Sequence, residues 1–238
     1  MATKTKKERI IKSFKDGDSP TEICKKFECT MVALRRSVNE AIGEGTLKRS
    51  DLYFSIPEEV RSYVSKLHDD GTNIHEIQLK MTKKGLDADY IELFNSLDSE
   101  DKFYGDMYEY IREIEITLHN FIKFELIKEF GKGEMNWWRE IPKNIRKSCA
   151  VRREEDSNPT DFYNYTYIID LKKIVSSHWS LFTRSLPKEW ASNKNEFKRS
   201  LNKLNTIRNS VMHPIKGREW SMKDLEFIRK IHRVTKPL

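Results

Sequence analysis

The 238-residue chain is poor in the residues that form turns between short strands, with only 9 glycines and 7 prolines. Sandwiches and barrels need frequent Gly- and Pro-rich turns, so this scarcity favours long helices instead. No uninterrupted apolar run approaches the roughly 18–20 residues that cross a bilayer, and no apolar stretch follows the basic N-terminus. We therefore expect an all-α protein that is neither secreted nor bound in a membrane.

Cysteine is equally scarce. Cys24, Cys29 and Cys149 are too few, and odd in number, for a disulfide framework, which predicts a reducing cytoplasm. Cys24 and Cys29 lack a second Cys or His pair at zinc-finger spacing. We expect no metal site and no cofactor, and we expect Cys24 to pack in a small helical core.

Charge is abundant and unevenly distributed. The formal net charge is +7, but residues 1–50 hold 12 Lys and Arg against 7 Asp and Glu, whereas residues 51–100 hold 5 against 11. Residues 101–150 are balanced, and residues 151–238 hold 18 against 10. The two basic regions are candidates for contact with a polyanion, and the acidic segment is not.

An internal repeat occupies the first hundred residues. The stretch Asp16–Ile23 aligns with Asp70–Ile77 at a constant offset of 54 residues, and Asp-Gly and Glu-Ile recur in both. In each copy an amphipathic segment precedes the Asp-Gly turn and a short segment follows it. A third segment closes each unit, at Met31–Ile42 and at Leu86–Leu97. We expect two small three-helix repeats.

The phrase DGDSPTEICKKFECTMVALRRSVNEA in the first copy resembles the helix-turn-helix units of resolvases and bacterial regulators. In such a unit the third helix is the recognition helix. In the first repeat, assigned to residues 1–50, this helix holds Thr30, Arg35 and Arg36, which we predict to contact nucleic acid.

The second repeat, assigned to residues 51–100, has the opposite charge. Its closing segment carries Asp87, Asp89 and Glu92 and no Lys or Arg, so it is expected to repel phosphate. We interpret it as a degenerate, protein-facing repeat. The alternative is that both repeats are helical scaffolds that bind other proteins.

A second helical domain is predicted over residues 101–238, after the polar run Asp98–Lys102. Apolar residues at three-and-four spacing predict one long amphipathic helix from Tyr104 to Phe130. Four further helices are expected, at about residues 137–151, 162–186, 194–212 and 221–233.

Within the penultimate predicted helix, Arg208 and His213 form an R-x4-H pattern, with Asn209 directly after the arginine and Pro214 after the histidine. The bare pattern arises easily by chance, but its position near the end of an all-helical domain is more specific. We expect the helix to end at His213, because a residue before proline disfavours the α conformation.

This combination resembles the HEPN superfamily, whose helical domains include many metal-independent ribonucleases. The resemblance covers about residues 104–233, where REIEITLHNFIKFEL, WWREIPKNIR and YIIDLKKIVSSHWSLF look like the first helices of the subgroup found in RNA quality-control endonucleases and bacterial defence proteins. His119 departs from the pattern, which has Arg there. The resemblance implies a homodimer with a composite cleft, an RNA substrate, and a toxin-like or anti-phage role.

The chemistry of these side chains suits RNA cleavage. RNA supplies its own nucleophile, so the site needs a proton acceptor, a proton donor and positive charge on the phosphate. An imidazole such as His213 exchanges protons near neutral pH, Arg208 offers a planar fork of donors, and Asn209 can orient the phosphate or ribose. Glu115 and Asp170 are candidates for orienting the arginine or the histidine.

The same residues also fit purely structural roles. Arg208 could form an ion pair with Glu115 or Asp170 within a helical bundle, and His213 could interact with a helix dipole. The double tryptophan Trp137-Trp138 fits core packing better than base stacking. The alternative function is a non-enzymatic DNA-binding regulator or assembly adaptor that uses the HEPN domain to dimerise. A third possibility is an enzymatic subunit that is inactive outside a multiprotein complex.

Overall fold

A computed structural model describes residues 5–94, 103–213 and 220–238, and these residues confirm the all-α prediction, since they include helices and no strand. Two compact units, Met1–Asp106 and Met107–Leu238, make up the chain. The helices of the first unit are α1 (Lys6–Lys15), α2 (Pro20–Lys26), α3 (Met31–Gly43), α4 (Arg49–Ser55), α5 (Glu58–Asp69), α6 (Ile74–Lys83) and α7 (Tyr90–Phe94). The helix α8 (Tyr104–Phe130) continues into the second unit.

The turns after α1 and α5 share one geometry. Gly17 and Gly71 have φ angles of 96° and 73°, a left-handed conformation that costs glycine nothing. The residue after each glycine donates its N–H to a carbonyl five residues earlier, at 3.1 Å and 2.9 Å. Ser19 and Asn73 then cap the next helices through their side chains. The 54-residue offset therefore corresponds to a repeated turn.

The third segments of the two repeats differ. The helix α3 begins at Met31 as predicted, but α7 begins at Tyr90 rather than at Leu86. The chain first turns through Gly85, whose φ is 76°, and α6 is three residues longer than α2. The end of the predicted helix at Leu97 and the polar run at residues 98–102 lie outside the described residues.

After α8, the helices of the second unit are α9 (Glu134–Glu140), α10 (Lys143–Glu154), the 3-10 helix Phe162–Tyr165, α11 (Ile168–Ser177), α12 (Trp179–Phe182), α13 (Lys188–Ala191), α14 (Lys194–Met212) and α15 (Met222–Thr235). The helices α8 and α14 have the predicted bounds. The core of the unit is densely aromatic. Among its fully buried side chains are Tyr163, Phe182, Trp190 and Phe197.

Two predicted helices of this unit are interrupted. The helix expected over residues 137–151 is two helices, because Ile141 leaves the α conformation directly before Pro142. The helix expected over residues 162–186 is three short pieces. Asp170 accepts a hydrogen bond from the backbone N–H of Tyr167, which starts α11, and His178, with φ −112° and ψ 40°, ends it.

Within the described ranges, no helix has the length and apolar character needed to cross a membrane. Over the same ranges, no group of three or more His, Cys, Asp or Glu side chains is positioned to hold a metal ion. Cys24 is half-buried and its thiol contacts the Met31 sulfur at 3.5 Å. Burial, reinforced by nearby Cys29, raises the pKa of Cys24 to about 11, so this thiol stays protonated at neutral pH.

Candidate active site

Arg208 lies on α14 and forms an ion pair with a residue that is distant in sequence. Its Nε donates to Glu115 Oε1 at 3.2 Å, which joins α14 to α8 across 93 residues of sequence. Both side chains are less than one-third exposed. A second bond, from Nη1 to the side-chain oxygen of Asn209, measures 3.4 Å. The guanidinium is therefore held on two sides, and its other N–H groups make no bond within the described residues.

A cleft of about 340 Å³ opens beside this arginine. Residues from α8, from the 3-10 segment, from the start of α11 and from α14 line it: Glu115, Ile116, His119, Asn120, Asn164, Thr166, Tyr167, Ile168, Leu171 and Arg208. Polar groups thus converge from three regions that are distant in sequence: α8, residues 164–171 and α14. Such convergence in a concave surface is typical of a binding or catalytic site.

His119, the residue that departs from the family pattern, lies in this cleft. Its Nε2 is 3.0 Å from the Tyr163 carbonyl oxygen, and the Tyr163 hydroxyl donates to the His119 carbonyl at 3.0 Å. The two rings are 4.2 Å apart. Because a carbonyl oxygen only accepts, Nε2 carries the proton, and the lone pair of the neutral ring is on Nδ1. Burial lowers the pKa of His119, which favours this neutral form.

His213 caps α14 at its C-terminal end, as predicted. Its φ of −134° and ψ of 66° leave the helical conformation, while its backbone N–H still bonds to the Asn209 carbonyl at 3.1 Å. The side chain is exposed, and it does not line the cleft around Arg208. Pro214, whose effect on the helix end motivated the prediction, lies outside the described residues. The structure thus brings Arg208 and Asn209 together and leaves His213 at the end of their helix.

Asp170 does not contact Arg208. Its side chain, 6% exposed, accepts from Arg152 Nη1 at 2.9 Å and caps α11 through the Tyr167 N–H at 3.2 Å. Arg152 also bonds to the Tyr165 carbonyl and lies over the Tyr167 ring. Of the two carboxylates proposed to orient the arginine, Glu115 therefore makes the contact and Asp170 does not, because the buried start of α11 already uses it.

The predicted nucleic-acid contacts of the first repeat lie on α3. The Thr30 hydroxyl accepts from the Ala33 N–H at 3.3 Å, so this side chain caps the helix. Arg35 is exposed, and Arg36 pairs with Glu40 one turn away at 3.1 Å. All three residues therefore sit at a surface.

The acidic turn before α7 contacts the first repeat. Thr21, near the start of α2, donates its hydroxyl to Asp87 at 2.9 Å and to Asp89 at 3.0 Å. Its backbone N–H also points to Asp87, at 3.3 Å. Burial, with Asp87 adding to it, raises the pKa of nearby Tyr90 to about 12. Two carboxylates of the second repeat thus accept hydrogen bonds from Thr21 of the first repeat.

The chain matches no protein-family model, no curated protein and no solved structure. What the cleft can do therefore follows from its own residues. Sequence reasoning missed the role of His119 and Asn120 as cleft residues. The available signal for His119 was its spacing from Glu115, since positions i and i+4 share one face of a helix. Asn120 lies about 140° from Glu115 around the helix axis, so the same spacing does not predict it.

Proposed function

We propose that the second unit is a metal-independent endoribonuclease of the HEPN type. The observation that carries the proposal is the Arg208 guanidinium, held by Glu115 and Asn209 at a cleft that also contains an imidazole. A fixed guanidinium with free N–H groups suits a phosphate, because its planar fork matches two phosphate oxygens. The basic character of residues 151–238 supports a polyanionic substrate.

The proposed reaction is transesterification within RNA. The 2′-oxygen attacks the adjacent phosphorus, the bond from phosphorus to the 5′-oxygen breaks, and the products end in a 2′,3′-cyclic phosphate and a 5′-hydroxyl. Arg208 stabilises the charge that develops on the phosphate oxygens. Asn209 fixes the guanidinium and orients the phosphate or ribose.

Two imidazoles can handle the protons. A base must take the 2′-hydroxyl proton, and an acid must give one to the departing 5′-oxygen. His119 presents Nδ1 as an acceptor, since Nε2–H is committed to Tyr163. His213, the motif histidine, is the candidate donor, and because it does not line the cleft of its own chain we assign it to the composite cleft of the homodimer. These assignments predict that loss of the His119 imidazole slows cleavage and that loss of the His213 imidazole abolishes it.

The direct test is incubation of the purified full chain with tRNA or total RNA in EDTA. We expect cleavage with cyclic-phosphate ends, and we expect His213→Ala to abolish it. His75→Ala, which removes an exposed histidine of the first unit, is the matched control. Intact RNA with the wild-type chain, or equal cleavage by His213→Ala, would show that the proposal is wrong.

We further infer that the enzyme works as a homodimer in the cytoplasm, in a toxin-like or anti-phage role. Ile116 and Tyr167 at the cleft are 48% and 52% exposed, an apolar rim that a second copy would cover. Light scattering is expected to give twice the chain mass. Ile116→Lys should return a monomer with impaired cleavage, and growth arrest on expression should depend on Arg208.

The second candidate function is a DNA-binding regulator or assembly adaptor. It is favoured by one observation, the exposed position of Arg35 and Arg36 on a side-chain-capped helix within a three-helix unit. It predicts salt-sensitive duplex binding that Arg35→Ala and Arg36→Ala weaken and that His213→Ala leaves unchanged. Duplex binding that survives loss of both arginines would contradict the assignment of the reader helix.

A further inference from the structure

A second cavity, of about 310 Å³, lies in the same unit and plays no part in the chemistry above. Its walls are mainly aromatic: Trp137, Trp138, Phe162 and Tyr163 line it. Trp138 and Phe162 stack at 5.9 Å with an interplanar angle of 26°. The volume is at the lower end of ligand pockets, which span about 300–1,000 Å³. Trp137 is buried, which confirms the prediction of core packing for this residue. Trp138 is half-buried and reaches the cavity.

Charged groups surround these rings in a definite arrangement. Arg139 and Arg146 line the cavity, and the Arg153 guanidinium lies 4.5 Å from the Phe162 ring centre. One carboxylate, Asp161, also lines it and is bonded to Lys123 at 3.4 Å. Aromatic faces among cations fit a planar, electron-rich group that is attached to an anionic backbone.

This cavity is adjacent to the Arg208 cleft. The 3-10 helix Phe162–Tyr165 separates them: Phe162 and Tyr163 face the aromatic cavity, and Asn164 lines the cleft. Tyr163 also bonds to His119 of the cleft at 3.0 Å. A 3-10 helix rises about 2 Å per residue, so the two sites are separated by a short segment. The 3-10 helix and the bond between Tyr163 and His119 therefore connect the aromatic cavity to the cleft.

We propose that the aromatic cavity is a nucleobase subsite that takes an unpaired guanine of the RNA strand. Stacking on the aromatic walls holds the base, and the arginines face its phosphates. The Asp161 carboxylate accepts from the guanine edge, where an imino N–H and an amino group lie side by side. Uracil offers that carboxylate a single N–H between two carbonyl oxygens. The proposal rests on the proposed ribonuclease function, whose substrate it specifies.

The test measures binding separately from cleavage. Two fluorescein-labelled hexanucleotides are used, one of uridine only and one with a central guanosine, both fully 2′-O-methylated so that the nucleophile is blocked. Fluorescence anisotropy with the full chain should show tighter binding of the guanosine strand. Trp138→Ala should weaken that binding about fivefold or more, as expected for loss of one base–aromatic stack. Trp138→Phe should restore most of it.

Asp161→Asn is the second variant, and its side chain is 57% exposed, so the fold should tolerate it. It should remove the preference for guanosine, whereas binding of the uridine strand should not weaken, because a negative charge is lost from the site. Phe124→Ala, an exposed aromatic on α8 that does not line the cavity, is the control and should bind as the wild type does. Equal affinity of the wild type for both strands, or an unchanged preference in Asp161→Asn, would overturn the proposal.

The two proposals fail in different ways. A guanosine preference that depends on Trp138 and Asp161, with unmodified RNA left intact in EDTA, supports the subsite and rejects the ribonuclease. Cleavage of unmodified RNA that Trp138→Ala and Asp161→Asn leave unchanged in rate and in base preference supports the ribonuclease and rejects the subsite.

Discussion

Two arginine ion pairs, one in each unit, differ in how far they reach along the chain. In the first unit, Arg36 pairs with Glu40 one turn away, and both side chains are largely exposed. In the second unit, Arg208 pairs with Glu115 across 93 residues, with both side chains mostly buried. The local pair stabilises its own helix and requires no tertiary structure. The distant pair exists only after α8 and α14 have packed, so it can position a guanidinium at a cleft.

Arg208→Ala is the strongest test of this contrast. We expect RNA cleavage to fall by about 10²–10³-fold, the range seen when a donor to a developing oxyanion is removed. Arg199→Ala, which removes an exposed arginine from the same helix, is the matched control and should leave the rate unchanged. A cleavage assay under single-turnover conditions measures both. Equal rates for the two variants would mean that Arg208 is only a structural ion-pair partner.

Asp170→Asn tests the second candidate carboxylate, which is buried and which we assign to stability. Its pair with Arg152 is part-buried, with the Asp170 side chain 6% and the Arg152 side chain 24% exposed, so losing the charge should cost about 1–3 kcal/mol. Urea denaturation should show this loss in the free energy of unfolding, whereas Asp161→Asn, at an exposed pair, should show almost none. Cleavage per folded molecule should be unchanged. Normal stability with lost cleavage would place Asp170 in the reaction instead.

His119→Gln tests the half-buried imidazole through the pH dependence of the free energy of unfolding. Burial lowers its pKa in the folded protein, whereas an unfolded histidine titrates near about 6.5. Below that value the unfolded chain binds a proton that the folded chain resists, so the free energy of unfolding decreases as the pH is lowered. The contribution of the neutral His119 ring to the free energy of unfolding is complete above about pH 6.5 and declines below it. Glutamine keeps an N–H donor for Tyr163 and should flatten this decline; an unchanged slope would contradict the assignment.

Gly17→Ala tests the repeated turn of the first unit. A Cβ there meets no atom within 4 Å, so the cost comes only from the left-handed backbone, about 1 kcal/mol. Gly71→Ala should cost about the same, because its turn has the same geometry. Gly43→Ala, at the end of α3 and without positive φ, is the control and should be neutral or slightly stabilising. Thermal denaturation ranks the three variants.

Arg36→Ala should have the smallest effect. Exposed pairs four residues apart contribute about 0.3–0.5 kcal/mol, so the midpoint of thermal unfolding should barely move. RNA cleavage should be unchanged as well. A large loss of stability would show that Arg36 has a contact beyond Glu40, and a large loss of cleavage would place the first repeat in substrate binding.

Much of the helical pattern was predictable because it depends on local spacing. The bounds of α8 and α14 follow from apolar residues at three-and-four intervals and from neighbouring turn residues. The break at Pro142 was overlooked although proline marks it, and the interruption at His178 has no comparable signal. The start of α7 was also misplaced, because the turn through Gly85 shifts the third segment of the second repeat.

Residues close together in the chain were enough to predict the helical class, the repeated Asp-Gly turn and the candidate pair Arg208 and His213. Contacts between distant helices selected the carboxylate that holds Arg208, assigned Asp170 to α11 and placed His119 in the cleft. These contacts join segments many residues apart. Two carboxylates with similar local surroundings are distinguished only when helix packing brings one of them to the guanidinium and buries the other against Arg152.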